Sequence, residues 1–317
     1  MAVLEAGDAQ RLANQFGLGD QAVVSGPVAS GEQGVVWRLE TDAGRFAVKD
    51  VFEPTDEKLA RTTATFQAAA DAVGVLTPSV VRTVDGDVFA TVGDARVRVY
   101  RWVDLRGPDL GLDPAQLGTV VADIHRLGCD PVGAPEQWYT VPVGAQVWDE
   151  IIDGLHEQAA PFAADVHSFR AELVALEQWI VAPKDLQMCH RDLWADNVQA
   201  THDSAICVFD WENAGPADPS QELACVLFEF ANTDVARAAT LYQAYRSAGG
   251  SGRIDSRGVF SMLIAQLGHI IERHCRLWLD NISAADRAHR ESGVGEAIEH
   301  PHSRSVLETL LDAVISR

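Results

Sequence analysis

The segment from His190 to Asn197 constrains this chain more than any other, because it sets several polar side chains at fixed spacing. It reads His190-Arg191-Asp192-Leu193-Trp194-Ala195-Asp196-Asn197. An apolar segment, Ile206 to Phe209, follows and runs directly into Asp210-Trp211-Glu212. Carboxylate and amide oxygens are the ligands that magnesium prefers. The spacing therefore predicts a polar loop and a strand end that together carry chemistry.

Residues 190–197 match the kinase catalytic-loop pattern His-Arg-Asp-Leu-x-x-x-Asn letter for letter. Phosphoryl transfer from ATP needs a carboxylate that orients the attacking hydroxyl. It also needs an amide oxygen and a second carboxylate that hold magnesium on the phosphates. Asp192, Asn197 and Asp210 would supply these three groups. The alternative is that Asp192 and Asn197 only cap nearby backbone amides, which is common for such residues in loops.

Two upstream segments match other parts of an ATP site. Phe46-Ala47-Val48-Lys49 places a lysine at the end of an apolar strand, like the V-A-I-K lysine that contacts the α- and β-phosphates. Ser30-Gly31-Glu32-Gln33-Gly34-Val35-Val36 gives the last part of a glycine-rich loop, with Ala29 in place of its first glycine. A glycine-containing hairpin tip explains that segment equally well. The order of these segments along the chain is that of a two-lobed ATP-dependent kinase.

Turn signals and residue spacing predict two parts with different secondary structure. Between Gln21 and Val103, β-branched residues and turns predict a strand-rich lobe with one helix over about 56–72. After Gly107-Pro108, apolar residues at helical spacing predict a mostly helical part. We therefore predict an α+β fold, with a small lobe over 1–103, a hinge near 100–104 and a larger helical lobe over 104–317. The predicted strands span 35–39, 45–51, 80–84, 88–92 and 96–102.

Composition argues against several classes of function. The 317 residues carry 25 lysines and arginines against 46 aspartates and glutamates, a formal net charge of −21. Because gripping nucleic-acid phosphates needs clustered basic residues, we expect no nucleic-acid partner. An acidic surface attracts cationic ligands, or serves only solubility. The five cysteines lack metal-ligand spacing, and no uncharged run is long enough to span a bilayer. With no secretion signal at the N-terminus, we expect a cytoplasmic protein without a membrane partner.

Over roughly residues 20–280, the chain resembles the aminoglycoside phosphotransferase and choline-kinase-like family, which has a protein-kinase-like fold. The resemblance rests on Cys189 to Asn197 and on Phe209-Asp210-Trp211-Glu212-Asn213-Ala214-Gly215-Pro216-Ala217-Asp218-Pro219. It implies a two-lobed enzyme that uses ATP and Mg²⁺, with Asp192 serving the acceptor hydroxyl and Asn197 and Asp210 binding the metal. The residues it assigns to nucleotide binding are Ser30, Gly31, Gly34, Lys49, Arg101 and Val103.

The segment after Asp210 argues against a protein kinase. Only eleven residues separate Asp210 from Glu222, where a new helix is predicted, so no room remains for an activation segment that docks a peptide. No Ala-Pro-Glu element follows either. A small-molecule acceptor fits this spacing better. Arg191 then has no phosphorylated loop to bind, and we expect it to form a structural ion pair.

Two positions depart from the family pattern. Glu222-Leu223-Ala224 stands where the family often has Asp-Leu-Ala, so the carboxylate beneath the catalytic loop would come from a longer side chain. The helix expected to present a glutamate to Lys49 offers only Glu57, near its start. Glu57 could equally be a first-turn acid favoured by the helix dipole. Whether it pairs with Lys49 is left open at this point.

The predicted acceptor is the hydroxyl of a small, cationic molecule, with an aminoglycoside-type antibiotic as the leading candidate. The carboxylates expected to contact it are Asp196, Glu212, Asp149 and Asp153. Asp149 and Asp153 would share a helix face, which could equally be a solvated face. The alternatives are a metabolic kinase for choline, homoserine, fructosamines or amino sugars, or a nucleotide-binding pseudokinase. The sequence leaves the oligomeric state and the choice between ATP and GTP open.

Overall fold

The computed structural model describes residues 6–31, 34–52, 56–280, 283–299 and 302–315. It divides into two compact units: the first comprises residues 1–109 and 196–214, and the second comprises residues 110–195 and 215–317. Residues 104–109 and the segment 196–214 thus group with the first unit.

The first unit is built on an antiparallel sheet. Its elements are α1 (Ala9–Phe16), β1 (Val23–Ser30), β2 (Gly34–Thr41), β3 (Gly44–Val51), α2 (Glu57–Ala72), β4 (Val80–Val81), β5 (Ala90–Val92) and β6 (Ala95–Arg101). The strand order is β1-β2-β3-β6-β4, and β5 also pairs with β6. Predicted strands 35–39, 45–51 and 96–102 and the predicted helix over 56–72 are found, whereas the other two predicted strands are shorter.

The core of the first unit forms between one face of this sheet and α1, an element that was not predicted. Leu12 and Phe16 of α1 lie on one helix face and pack with strand residues such as Leu39, Phe46 and Val97. All five are at least 96% buried. Fully burying a side chain of this size contributes about 1.5 to 3 kcal/mol, so this core fixes the sheet that carries Lys49.

The second unit is mostly helical, as predicted, and its apolar stripes are buried. Trp148, Leu155, Ile271 and Trp278 belong to one of its core clusters. The elements that complete the chain are α3 (Pro114–Arg126), α4 (Ala145–Glu157), α5 (Ala163–Glu177), β7 (Gln187–Cys189), β8 (Val198–Ala200), β9 (Ile206–Val208), β10 (Gly215–Ala217), α6 (Pro219–Ala231), α7 (Val235–Ser247), α8 (Ser261–Leu279), α9 (Ala284–Glu299) and α10 (Arg304–Ile315). The α+β fold class is confirmed.

The strands β8 and β9 form a short antiparallel hairpin that belongs to the first unit. Backbone bridges attach it to that unit at Leu105, which pairs with Thr201, and at Leu76, which pairs with Cys207. Strands β7 and β10 form a second antiparallel pair in the second unit. In the part of the chain that the structure describes, no helix is long and apolar enough to cross a membrane.

His302 is a buried histidine between α9 and α10, with 1% of its surface exposed. Its ring lies perpendicular to that of Phe169, with the ring centres 5.9 Å apart. Burial lowers the pKa of His302 from 6.5 to about 4, although the charge of Glu172 opposes this shift. The unfolded chain therefore takes up a proton at His302 before the folded protein does.

We expect His302 to make the protein sensitive to mild acid. Its folded-state pKa lies below its unfolded value, so stability falls as the pH drops from about 6.5 to about 4, by about 3 kcal/mol in total. His302→Leu should remove this part of the acid sensitivity in denaturant unfolding across that pH range. His202→Gln, at an exposed position, is the control. An unchanged pH dependence in His302→Leu would contradict the expectation.

Candidate functional site

Lys49 lies on β3, the middle strand of the larger sheet, and is directly opposite Arg98 of β6. Its side chain is largely buried, and Nζ donates to Asp210 Oδ1 at 2.8 Å. The same nitrogen lies 3.2 Å from Glu212 Oε2. Lys49 lies on a strand, as predicted, but it is not the last residue of that strand, because β3 continues to Val51. Lys49 and Asp210, predicted to act together, are in contact within the first unit.

The hairpin β8–β9 brings Asn197 and Asp210 to the same end of two strands. Phe209 N donates to Asn197 O at 3.0 Å, so Asn197 sits opposite the residue that precedes Asp210. Asp210 has a φ of +58°, in the left-handed region that residues other than glycine seldom occupy. Such strain persists where the surroundings hold it and is concentrated at functional sites. At Asp210 the chain passes from the end of β9 into a short 3-10 helix, Trp211–Asn213.

The electrostatics at Asp210 suit a divalent cation. Burial and the neighbouring charge of Glu212 raise the pKa of Asp210 above its ordinary value, against the opposing effect of Lys49. Burial lowers the pKa of Lys49, but Glu212 and Asp210 outweigh it and hold that pKa above its ordinary value. A site where carboxylates crowd together, with an amide at the same hairpin end, offers the hard oxygen ligands that Mg²⁺ binds. Asp210 and Asn197 therefore fit a magnesium site.

Trp211 fixes the segment that carries these carboxylates. Its indole is 2% exposed, and its Nε1 donates to Thr77 Oγ1 at 3.0 Å and to Val208 O at 3.1 Å. Its ring meets Phe66 of α2 edge-on, with the ring centres 5.3 Å apart. The tryptophan between Asp210 and Glu212 is thus an anchor in the core of the first unit.

Glu212 contacts side chains of two neighbouring strands of the larger sheet, β3 and β6. Its Oε1 accepts from Tyr100 at 2.6 Å and from Arg98 at 3.1 Å, while its Oε2 faces Lys49. Burial raises the pKa of Glu212, but Lys49 and the other donors outweigh it and hold that pKa well below its ordinary value. Both oxygens of this predicted acceptor contact are therefore engaged within the first unit.

Glu57, the carboxylate considered for Lys49, binds other residues. Its oxygens accept from Arg61 Nη2 at 3.1 Å and from Arg96 Nη2 at 2.8 Å, and its side chain is more than half exposed. It lies in the first turn of α2, capped by Asp56. The question left open by the sequence is therefore answered: Glu57, in the first turn of its helix, pairs with Arg61 and Arg96 and not with Lys49. Sequence reasoning missed Glu212 as the partner.

The predicted glycine loop is the turn between β1 and β2. Ser30 pairs with Val35 across the two strands, and Gly31 N donates to Gly34 O at 3.0 Å. A Cβ on Gly34 would come within 2.3 Å of the Asp50 carbonyl oxygen, so only glycine fits where β2 passes β3. Gly31 has open space around it. Glu32 and Gln33, at the tip, lie outside the described residues.

Arg101 and Val103, predicted to lie at the hinge, are found at the end of β6 and just beyond it. Arg101 ends β6, where its N–H donates to Ser79 O at 2.9 Å and its guanidinium stacks over the Phe46 ring at 5.1 Å. Val103 is half-buried two residues later. Their assignment to nucleotide binding stays a prediction.

The catalytic-loop segment begins after β7 in the second unit. Arg191 has a φ of +65°, and its N–H donates to Glu222 Oε1 of α6. Further along, Ala195 N donates to Glu229 Oε1 at 2.9 Å. Asp192, between these two fixed points, is half-buried. Two carboxylates of one helix therefore hold the backbone on both sides of Asp192.

Arg191 forms the structural ion pair expected of it. Its Nη2 donates to Glu136 Oε1 at 2.7 Å, and its guanidinium lies 4.3 Å from the centre of the Tyr139 ring. Gly215 of β10 closes the other side, since a Cβ there would come within 2.6 Å of the guanidinium carbon. The side chain is 3% exposed. Arg191 thus ties the loop to Glu136, Tyr139 and β10.

Glu222 also reaches a buried histidine, which explains why a longer carboxylate can serve beneath the loop. Its Oε2 lies 2.6 Å from His125 Nε2, and His125 Nδ1 lies 2.7 Å from the Tyr245 hydroxyl. Burial raises the pKa of Glu222, but His125 and the Arg191 amide outweigh it and lower that pKa. The expectation of a structural glutamate at position 222 is confirmed.

We expect Glu222→Ala to destabilise the protein by about 3 to 5 kcal/mol, because it leaves the buried His125 and the Arg191 amide without their acceptor. Glu222→Gln keeps an acceptor oxygen and the side-chain shape, so it should retain most of that stability. Chemical denaturation of both variants measures the difference. If Glu222→Ala unfolds at the wild-type denaturant concentration, Glu222 does not hold this loop.

The other predicted acceptor contacts lie on exposed surfaces. Asp149 of α4 is bound by Arg170 through both oxygens, at 2.5 and 2.6 Å, and Asp153 is exposed on the same helix. Asp196 is exposed, and its carbonyl oxygen accepts from Gln199. These contacts match the solvated helix face that was the alternative for α4. A role for these residues in acceptor binding stays a prediction.

Comparison with known proteins identifies the family of this chain. The family model described as the phosphotransferase enzyme family matches residues 26–256. No curated protein sequence matches the chain. Among solved structures, spectinomycin phosphotransferase in complex with ADP and spectinomycin is similar with a TM-score of 0.66 at 15% identity, covering 99% of each chain.

Two further structures show the same fold. An aminoglycoside phosphotransferase from Alicyclobacillus acidocaldarius has a TM-score of 0.62 at 18% identity, covering 98% of this chain and 96% of its own. A microcompartment-associated aminopropanol kinase has a TM-score of 0.57 at 16% identity, covering 93% of this chain and 95% of its own. At such identities the likeness concerns the fold alone.

Proposed function

Because the chain belongs to the phosphotransferase enzyme family, we propose that it transfers the γ-phosphate of ATP to a hydroxyl of a small molecule. The observation that carries this proposal is the contact of Lys49 with Asp210, at the hairpin end that also holds Asn197. A buried lysine beside a strained aspartate is the arrangement needed to hold both the phosphates and the metal of a nucleotide.

The nucleotide would be held by residues of the first unit. Lys49 would contact the α- and β-phosphates, while Asp210 and Asn197 would bind Mg²⁺. When bound, Mg²⁺ neutralises the charge that develops on the phosphate oxygens. Ser30, Gly31 and Gly34 would border the phosphates, and Arg101 and Val103 would border the base.

Asp192 would serve the acceptor. Its carboxylate would accept a hydrogen bond from the acceptor hydroxyl and orient that oxygen for attack on the γ-phosphorus. It would take up the hydroxyl proton as the new P–O bond forms and the bond between the γ-phosphorus and the bridging oxygen breaks, which releases ADP. The backbone bonds that Glu222 and Glu229 accept keep Asp192 in place, so little freedom is lost when the acceptor binds. Such preorganisation supports catalysis over a purely structural role for the loop.

The net charge of −21 favours a cationic acceptor. An aminoglycoside-type antibiotic is the first candidate, with Asp196, Asp149 and Asp153 as the acids proposed to contact it. An amino alcohol of metabolism is the second candidate, since the similar folds include an aminopropanol kinase. A pseudokinase is disfavoured, because a module without catalysis does not need Lys49, Asp192, Asn197 and Asp210 together.

Coupled ADP release with Mg-ATP tests the proposal across spectinomycin, other aminoglycosides, amicoumacin, macrolides, tuberactinomycin-type peptides, aminopropanol, choline and homoserine. Turnover that requires one acceptor and is lost in Asp192→Ala would establish both the reaction and its acceptor. Absence of any ADP release, including slow hydrolysis that depends on Asp192, would favour the pseudokinase.

A further inference from the structure

We propose that Glu212, held by Arg98 and Tyr100 of β6, orients Lys49 toward the nucleotide phosphates. The inference rests on the proposed function, and it replaces the predicted role of Glu212 as an acceptor contact. Arg98 and Tyr100 are positioning residues in this scheme, because they act on the nucleotide only through Glu212 and Lys49.

The two oxygens of Glu212 face different strands. Oε1 accepts from Tyr100 at 2.6 Å and from Arg98 at 3.1 Å, and Oε2 lies 3.2 Å from Lys49 Nζ. The side chains of Arg98 and Glu212 are 1% and 11% exposed, so water cannot replace these bonds easily. A carboxylate fixed at one oxygen presents the other oxygen in one direction. Lys49 is thereby held in one orientation.

A second carboxylate is needed because Asp210 has another task. If Asp210 binds Mg²⁺, its oxygens are no longer fully available to Lys49. Within the described residues, the carboxylates that contact Lys49 Nζ are those of Asp210 and Glu212. Glu212 is then the one that remains to hold the ammonium group when the metal is bound.

Helix α2 does not fill this role. Its Glu57 binds Arg61 and Arg96 at the protein surface. Among its buried residues, Thr63 and Gln67 are polar but carry no charge, and Gln67 Nε2 donates to Thr77 Oγ1 and Pro78 O. The orientation of Lys49 therefore comes from the segment that also carries Asp210.

The charges in this cluster balance. Lys49 and Arg98 carry two positive charges, and Asp210 and Glu212 carry two negative ones when ionised. Buried charges persist in proteins when they are paired and hydrogen-bonded. Burial and Glu212 raise the pKa of Tyr100 well above its usual range, so its hydroxyl remains a proton donor. Tyr100 can therefore be altered without changing the charge of the cluster.

A double-mutant cycle on ADP binding tests the inference, with calorimetry in saturating Mg²⁺, the condition in which the metal engages Asp210 and Glu212 remains to hold Lys49. Tyr100→Phe removes one donor to Glu212 and should weaken ADP binding about three- to tenfold. Lys49→Met removes the phosphate contact. In the Lys49→Met background, Tyr100→Phe should have almost no further effect, because residues that act through one group are not additive.

Arg98→Lys, which keeps the buried positive charge, is the second variant and should show the same loss and the same dependence on Lys49. Glu57→Gln is the matched control and should bind ADP as the wild type does. The inference is overturned if both β6 variants leave ADP binding unchanged, or if their losses persist in full without Lys49. It is also overturned if Glu57→Gln gives the larger loss. Wild-type protein that fails to bind ADP at all would instead refute the proposed function.

Discussion

Asp192→Ala is expected to lower turnover by about a hundred- to ten-thousandfold, the range typical of a positioned general base. The affinity for ATP should stay near that of the wild type, because the role proposed for this carboxylate is to contact the acceptor and not the nucleotide. The loop around it is held by backbone bonds to Glu222 and Glu229, which the substitution leaves intact. Steady-state kinetics should therefore show a fall in kcat with little change in the KM for ATP.

The matched control for Asp192→Ala is Asp203→Ala, which removes an exposed acid from the turn between β8 and β9. It should leave kcat unchanged. Thermal unfolding of both variants separates loss of chemistry from loss of fold. Wild-type turnover in Asp192→Ala would remove the acceptor role from this residue.

Asp210→Asn is expected to abolish the gain in nucleotide affinity that Mg²⁺ provides, and to lower turnover by about a hundredfold or more. An amide is a much weaker ligand for a divalent cation than a carboxylate. In EDTA, by contrast, the variant should bind ADP at least as well as the wild type, since one negative charge beside the phosphates is gone. Calorimetry with ADP, in EDTA and in Mg²⁺, measures both effects.

The opposite sign of the two effects makes this prediction specific. A variant that had merely lost its fold would bind ADP poorly under both conditions. Glu57→Gln removes an exposed carboxylate of the same unit and should keep the wild-type response to Mg²⁺. If Asp210→Asn also keeps that response, the metal is bound by other residues.

The contacts between distant residues divide into those that the sequence predicts and those that it does not. That Lys49 and Asp210 belong to one site follows from two motifs whose order along the chain is informative. The contact of Glu212 with Lys49 cannot be predicted in this way, because the contact depends on the strand register that puts Lys49 opposite Arg98. A weak signal existed: Arg98 and Tyr100 are two residues apart on a strand and so share a face. Two hydrogen-bond donors on one buried face require an acceptor.

The beginning of the fold was harder to predict for a different reason. Helix α1 spans only Ala9–Phe16 and is too short to be stable by itself. Its apolar face is buried only when the helix packs against the sheet. The segment 196–214 joins the first unit through contacts with Leu76 and Leu105, which periodicity along the chain does not reveal. Packing and strand pairing over long sequence separations decide both features.

The first unit is discontinuous in sequence, and this bears on how the chain folds as it leaves the ribosome. Residues 1–109 contain Lys49 and Arg98 but neither Asp210 nor Glu212. Until residues 196–214 have been synthesised, the sheet must keep two positive side chains without the carboxylates that neutralise them, which opposes their burial. The sheet therefore reaches its final packing only after α3, α4, α5 and β7 have emerged. Synthesis from the N-terminus therefore begins the second unit, at residue 110, before the first unit is complete at residue 214.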